Sequence, residues 1–126
     1  MRIPLATRYA DYDTKGHVNN AVYLTYFEMA RERAWVEGLG QNADFSFVLA
    51  EATVRFVSEA MIGTALEIEI TTAEVRTKAW VWAYVIRRSD DGRVVAEGNT
   101  VQVMYDYAAG RTVPIPDGLR ERLAAL

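Results

Sequence analysis

Between Ala21 and about Glu37 the apolar residues Val22, Tyr23, Tyr26, Phe27, Ala30, Ala34 and Trp35 recur at three- and four-residue intervals. That spacing predicts an amphipathic helix with one buried stripe. Gly38 follows as a natural stop, and Asn19 or Asn20 precedes with a side-chain oxygen able to cap the first turn. Glu28, Arg31 and Glu32 are expected on the polar face. Downstream the period drops to two: Phe45 to Val57, Ala65 to Thr71, Trp80 to Arg87 and Val94 to Tyr105 alternate and predict strands. Ser89 to Gly92 reads as the hairpin turn joining the last two. Pro114 and Pro116 break the pattern, and Asp117 to Leu126 reads as a short terminal helix that must dock to be stable.

With a short strand at the start, the order becomes strand, long helix, then four long strands. It predicts an α+β protein in which an antiparallel sheet of about five strands wraps around one long central helix. That arrangement resembles the layout of a hotdog fold. Such a sheet leaves an edge strand and apolar area uncovered, so a homodimer is expected, with a dimer of dimers beyond it. No repeat or linker interrupts the 126 residues, which are read as one domain spanning 1–126.

Composition narrows the chemistry. The chain is 51% hydrophobic and 25% charged with three prolines, as in an ordinary globular protein. It has no cysteine and one histidine, which excludes disulfides, thiolate nucleophiles, cysteine-ligated zinc and poly-histidine metal sites. No metal or cofactor is expected. The net charge is −3 and the basic residues form no block, so nucleic acid is not an expected partner. The amino-terminal stretch MRIPLATRYADYD holds no apolar run of a signal or spanning segment. The expectation is therefore a cytoplasmic protein that does not enter a membrane.

One segment is dense in reactive groups. Asp11 to Asn20 (DYDTKGHVNN), just ahead of the helix, holds two carboxylates, a glycine, the only histidine and two asparagines. Hydrolysis at an acyl carbonyl requires a nucleophile or a base, plus donors for the oxyanion that develops on the carbonyl oxygen. Asp13 supplies the carboxylate. Gly16 lets the backbone turn closely around a substrate, and the helix's first turn offers unpaired N–H groups at its positive dipole end. The Asn20 or Ala21 amide is the candidate oxyanion donor. Asp11 is expected to close the turn or bind backbone amides, and Asn19 to brace the loop.

The stretch RYADYDTKGHVNNAVYLTYFEMARERAW resembles the signature of acyl-CoA thioesterases of the 4-hydroxybenzoyl-CoA thioesterase type. The resemblance implies that Asp13, the second aspartate of a D-x-D-x-x-G pattern, is the catalytic carboxylate. It also implies that the Asn20 backbone N–H polarises the thioester carbonyl, and that Tyr23 matches the tyrosine that follows on the helix. GHVNN is similar as well to a D-x-N-x-H-V-N-N motif of plant acyl-carrier-protein thioesterases, in which the histidine is assigned to catalysis. Asp13 and His17 match it, while Lys15 stands where that motif has an asparagine. Glu59 is the nearest counterpart of the glutamate those enzymes carry on a later strand. The implied reaction is hydrolysis of an acyl-CoA to free acid and CoA, with catalysis by Asp13, His17 and the Asn20 amide and substrate contacts at Gly16, Asn19, Tyr23 and Glu59.

Three rivals keep the same fold: an acyl-carrier-protein thioesterase, a dehydratase of 3-hydroxyacyl thioesters, and a non-catalytic acyl-CoA-binding module. The histidine-phenylalanine-proline pattern of the dehydratases is absent, and Asp13 argues against the binding module. Arg55, Arg76, Lys78, Arg87, Arg88 and Arg93 are the candidates to meet the CoA phosphates. Trp80, Trp82 and Tyr84 alternate along one strand face, which fits sheet packing or a subunit interface.

Overall fold

The computed structural model describes residues 1–126. Strand β1 (Arg2–Leu5) leads through a 3-10 turn at Tyr9–Asp11 into helix α1 (Val22–Arg33), whose last turn, Ala34–Gly38, widens to π winding. Strands β2 (Phe47–Phe56), β3 (Leu66–Val75), β4 (Ala79–Arg88) and β5 (Val94–Asp106) follow. A two-residue strand, β6 (Arg111–Thr112), and helix α2 (Asp117–Ala125) close the chain. The strands form one antiparallel sheet in the order β1-β3-β4-β5-β2, with β6 added to the end of β5. Helical winding ends at Gly38 as the stop signal predicts. The two-residue β6 is too short to show a period, so no sequence pattern announces it.

The expected helical stripe is the one that packs. Tyr23, Tyr26, Phe27, Ala30, Ala34 and Trp35 are buried against the inner face of the sheet, where Trp80, Trp82, Tyr84 and Ile86 alternate along β4. Phe27 stacks on Tyr84 at 4.3 Å and Trp35 on Trp80 at 6.0 Å, so the aromatic alternation on β4 is the seat of the helix. One placement differs from the expectation. Arg31 is buried at 7% exposure, because its place on the helix turns it toward the sheet between Phe27 and Trp35.

Gly98, in the middle of β5, allows the helix to come this close. A Cβ there would overlap the Thr53 carbonyl oxygen and lie 2.8 Å from Phe27 Cε2. Gly98→Ala is therefore expected to destabilise the fold by about 3 kcal/mol, since neither a neighbouring strand's backbone nor a stacked ring can yield cheaply. Gly118→Ala, where a Cβ meets nothing within 4 Å on helix α2, should be neutral or slightly stabilising. Chemical denaturation of the two variants checks the contrast.

Candidate active site

Asp11 to Val18 folds as a small hairpin. Tyr12 and Val18 bridge antiparallel, the Asp13 N–H donates to the His17 carbonyl at 2.7 Å, and the Gly16 N–H returns to the Asp13 carbonyl at 3.1 Å. Gly16 sits at the tip with φ +75°, a left-handed conformation in which an L side chain would be strained. A second segment clamps the hairpin: Val18 N–H donates to the Ala60 carbonyl at 2.9 Å and Ile62 N–H to the Gly16 carbonyl at 2.8 Å.

Beneath the hairpin lies Asp11, which is 1% exposed. Its Oδ2 accepts the Arg8 backbone N–H at 2.8 Å and the Tyr26 hydroxyl at 3.0 Å, while Oδ1 accepts from the Arg8 guanidinium at 2.9 Å. Burial pushes this carboxyl up, but the Arg8 groups and the Tyr26 hydroxyl more than offset it and hold it below the usual aspartate range. The Asp11 carbonyl also accepts the Asn19 N–H at 2.8 Å. Asp11 thus ties the loop to helix α1 through Tyr26, beyond the turn-closing role expected of it.

Asp13 is exposed at the hairpin's base. Its Oδ1 accepts the backbone N–H groups of Lys15 at 2.9 Å and His17 at 3.1 Å, while Oδ2 carries no protein hydrogen bond. The His17 amide first, and the Lys15 amide with it, hold the Asp13 carboxyl below the usual range, so it stays ionised. One oxygen shapes the turn and the other is free for chemistry.

The helix start separates the two candidate oxyanion donors. Asn19 Oδ1 accepts the Ala21 N–H at 3.0 Å, and the Asn19 carbonyl accepts the Val22 N–H at 3.0 Å. The Ala21 amide is thereby used up. The Asn20 N–H, one residue earlier, donates to no protein group, and it stands at the positive end of α1.

These groups open on one cavity of about 280 Å³, lined by Asp13, His17, Val18, Asn20, Tyr23, Phe56, Val57, Ser58, Glu59 and Ala60. Five of the seven residues named from sequence meet there: Asp13, His17, Asn20, Tyr23 and Glu59. Gly16 and Asn19 do not line it. Gly16 makes the hairpin tip and Asn19 spends its side chain on the helix start, so both act on the loop's shape rather than at the cavity wall. Glu59 lies beyond the end of β2 and not on a strand, because the sheet ladder stops at Phe56. From there its Oε2 reaches His17 Nε2 at 3.3 Å. Tyr23 packs edge-on against Phe56 at 5.5 Å, and burial pushes its hydroxyl up to about 12, so it is present as a neutral donor.

Sequence reasoning misses the apolar wall of Val18, Phe56, Val57 and Ala60, although its last part falls in the same VRFVSEAM stretch that brings Glu59 forward. Ser58 also lines the cavity, but its hydroxyl is committed to the Val94 carbonyl at 2.7 Å. No group of three or more His, Cys, Asp or Glu side chains is clustered so as to hold a metal ion.

An antiparallel sheet curled around one helix, with a carboxylate-bearing hairpin delivered to that helix's N-terminus, places the molecule among hotdog-fold proteins of the thioester hydrolase class. The chain belongs to the thioesterase-like superfamily, whose family model matches residues 7–123. It is similar to the long-chain acyl-CoA thioesterase FadM of Escherichia coli strain K12, at 27% identity over 98% of this chain and 96% of that one. Among solved structures, a thioesterase from Thermus thermophilus complexed with coenzyme A and zinc matches with a TM-score of 0.88 at 28% identity, covering 98% of this chain and 91% of its own. The probable thioesterase YbaW of Escherichia coli matches with a TM-score of 0.81 at 25% identity, over 98% and 96% of the two chains.

Proposed function

We propose that the protein hydrolyses acyl-CoA thioesters to the free acid and CoA, with Asp13 as the reacting carboxylate. The observation that carries this reading is the pairing, in one cavity, of the unbonded Asp13 carboxylate oxygen with the unused Asn20 N–H. A thioester carbonyl that accepts the Asn20 N–H is polarised by that donor and by the helix dipole, both aimed where negative charge develops. Asp13 then attacks the carbonyl carbon to give a mixed anhydride that water cleaves to the free acid and the restored carboxylate, or takes a proton from a water that attacks the carbonyl directly; in either case the CoA thiolate leaves and takes up a proton. The His17 and Glu59 pair stands beside the carboxylate and can orient water or move its proton. Release of free thiol across a panel of acyl-CoAs tests the proposal, and no release from any of them would sink it.

The basic candidates separate by their neighbours. Arg55, Arg76, Arg87 and Arg88 are paired with Glu97, Glu74, Glu69 and the Asp90–Asp91 turn, whereas Lys78 and Arg93 have no acidic partner. Arg88 and Arg93 also line a cavity of about 360 Å³ that shares Val57, Ser58 and Glu59 with the wall of the first. We assign the CoA phosphates to this side. Arg93→Glu is expected to raise KM for an acyl-CoA about fivefold to tenfold, with an effect that fades in high salt. KM for the matching N-acetylcysteamine thioester, which lacks the phosphates, should not move.

The sheet edge supports a homodimer. Strand β2 ends the sheet with ten residues whose outer side is unpaired, and Leu49 and Phe56 there are 46% and 47% exposed. Phe56 also lines the cavity, so a second copy against β2 would close its open side. Light scattering after size exclusion measures the state directly, and a monomer at micromolar concentration would contradict it.

A further inference from the structure

A second cavity of about 230 Å³ opens between α1 and the start of β2, lined by Glu28, Arg31, Glu32, Phe45, Phe47 and Leu49. Arg31 is its unusual member. A guanidinium removed from water needs an anionic or hydrogen-bonding partner, yet no carboxylate lies within 4.0 Å of Arg31 although it is 7% exposed. What it approaches is polar and neutral. The Tyr84 hydroxyl, which burial pushes up and the Thr100 hydroxyl and Arg31 pull down, shares a 2.6 Å hydrogen bond with Thr100 Oγ1. Gln102 Nε2 donates to that same Thr100 oxygen, while Gln102 Oε1 is buried with no partner. Trp80 Nε1, on the residue across the ladder from Gln102, is equally without one.

Position along the helix links this cluster to the reaction. Arg31 lies nine residues beyond Val22, the first residue of α1, and so stands about 13 Å further along the helix from its N-terminus. Leu24, between them, is 41% exposed and offers an apolar strip on the way. The seam between α1 and β2 is framed by the Tyr23–Phe56 contact at one end and the Trp35–Phe47 contact at the other. Phe45, at the far cavity, is the one non-glycine residue with a left-handed backbone, at φ 46°.

We infer that Arg31 is a specificity-determining residue that receives a neutral oxygen, a hydroxyl or keto group, at the distal end of the acyl chain. The inference rests on the acyl-CoA reading of the Asp13 site. The guanidinium bonds the Tyr84 hydroxyl but no carboxylate, so of its five N–H groups some are left to spare: a plain methyl terminus takes none of them, whereas an oxygen in the cavity accepts one. Glu28 and Glu32 at the mouth disfavour a terminal carboxylate, which leaves the neutral oxygen as the fitting group. The length of the seam suits a chain of about twelve carbons.

The experiment compares dodecanoyl-CoA, 12-hydroxydodecanoyl-CoA and butyryl-CoA on the wild type, Arg31→Met and Arg31→Lys. Wild type is expected to favour the hydroxylated chain in kcat/KM by about tenfold or more. Arg31→Met should abolish or reverse that preference, Arg31→Lys should retain part of it, and butyryl-CoA, too short to reach, should be turned over at an unchanged rate. Equal or better turnover of plain dodecanoyl-CoA by wild type would overturn the inference, and it requires no variant to fold. That outcome is distinct from failure to hydrolyse any acyl-CoA, which would remove the underlying reading as well.

Discussion

Asp13→Asn is expected to lower kcat by about three powers of ten while leaving the fold and the loop intact. The substitution separates two roles that share one side chain. An amide oxygen can still accept the Lys15 and His17 N–H groups that Asp13 Oδ1 now holds, so the turn keeps its shape. The amide cannot attack a carbonyl or take a proton, so the chemistry is lost. Retained activity would make Asp13 a turn former and nothing more. The pH profile gives a second check with a definite sign. Because the His17 and Lys15 amides hold the Asp13 carboxyl below its usual range, acidification from pH 8 to pH 5 should not protonate it, and its limb in kcat/KM should appear only below the ordinary aspartate range. His17→Ala should cost less, about tenfold, if its pairing with Glu59 assists water and does not form the bond itself. An equal loss in both variants would shift the mechanism toward the histidine-dependent pattern of the plant-type motif.

Replacing residue 20 by the corresponding α-hydroxy acid, which turns its backbone N–H into an ester oxygen, is expected to lower kcat a hundredfold to a thousandfold. The Asn20 N–H makes no protein hydrogen bond, so the one protein bond affected is that from the Val22 N–H to the Asn19 carbonyl, which becomes a weaker ester acceptor. The effect should fall on kcat more than on KM, since the donor matters most when charge has built up on the carbonyl oxygen. The same replacement at residue 21 is the control: it removes the donor held by Asn19 Oδ1, so it should loosen the helix start and cost stability more than chemistry. If the two swap behaviour, the oxyanion donor is Ala21.

The helix and the strands can be read from the chain because each has a period that burial enforces. Tyr23, Tyr26, Phe27, Ala30, Ala34 and Trp35 are buried as their spacing requires, and Trp80, Trp82 and Tyr84 alternate onto the inner face. Arg31 departs from its expected place for a related reason: charge argues for solvent, but eight residues past Tyr23 the helix has turned the position toward the sheet, and geometry wins over residue type. In the site, Asp13, His17 and Asn20 can be found because they are close in sequence and form an unusual motif. The Phe56 to Ala60 wall cannot, since these residues lie at and just beyond the end of β2 and meet the hairpin only through long-range pairing such as His17 with Met61.

By itself, the sequence determined the α+β order of elements, the buried helical stripe and the carboxylate placed one loop ahead of a helix N-terminus. Local spacing is enough for each of these. Tertiary structure decided what each group is free to do: that Asn19 consumes the Ala21 amide and leaves that of Asn20, that Glu59 reaches His17, and that a buried Arg31 has no carboxylate within salt-bridge distance. Such facts depend on which hydrogen-bonding partners the folded chain has already used, and that is settled only when segments distant in sequence are packed together.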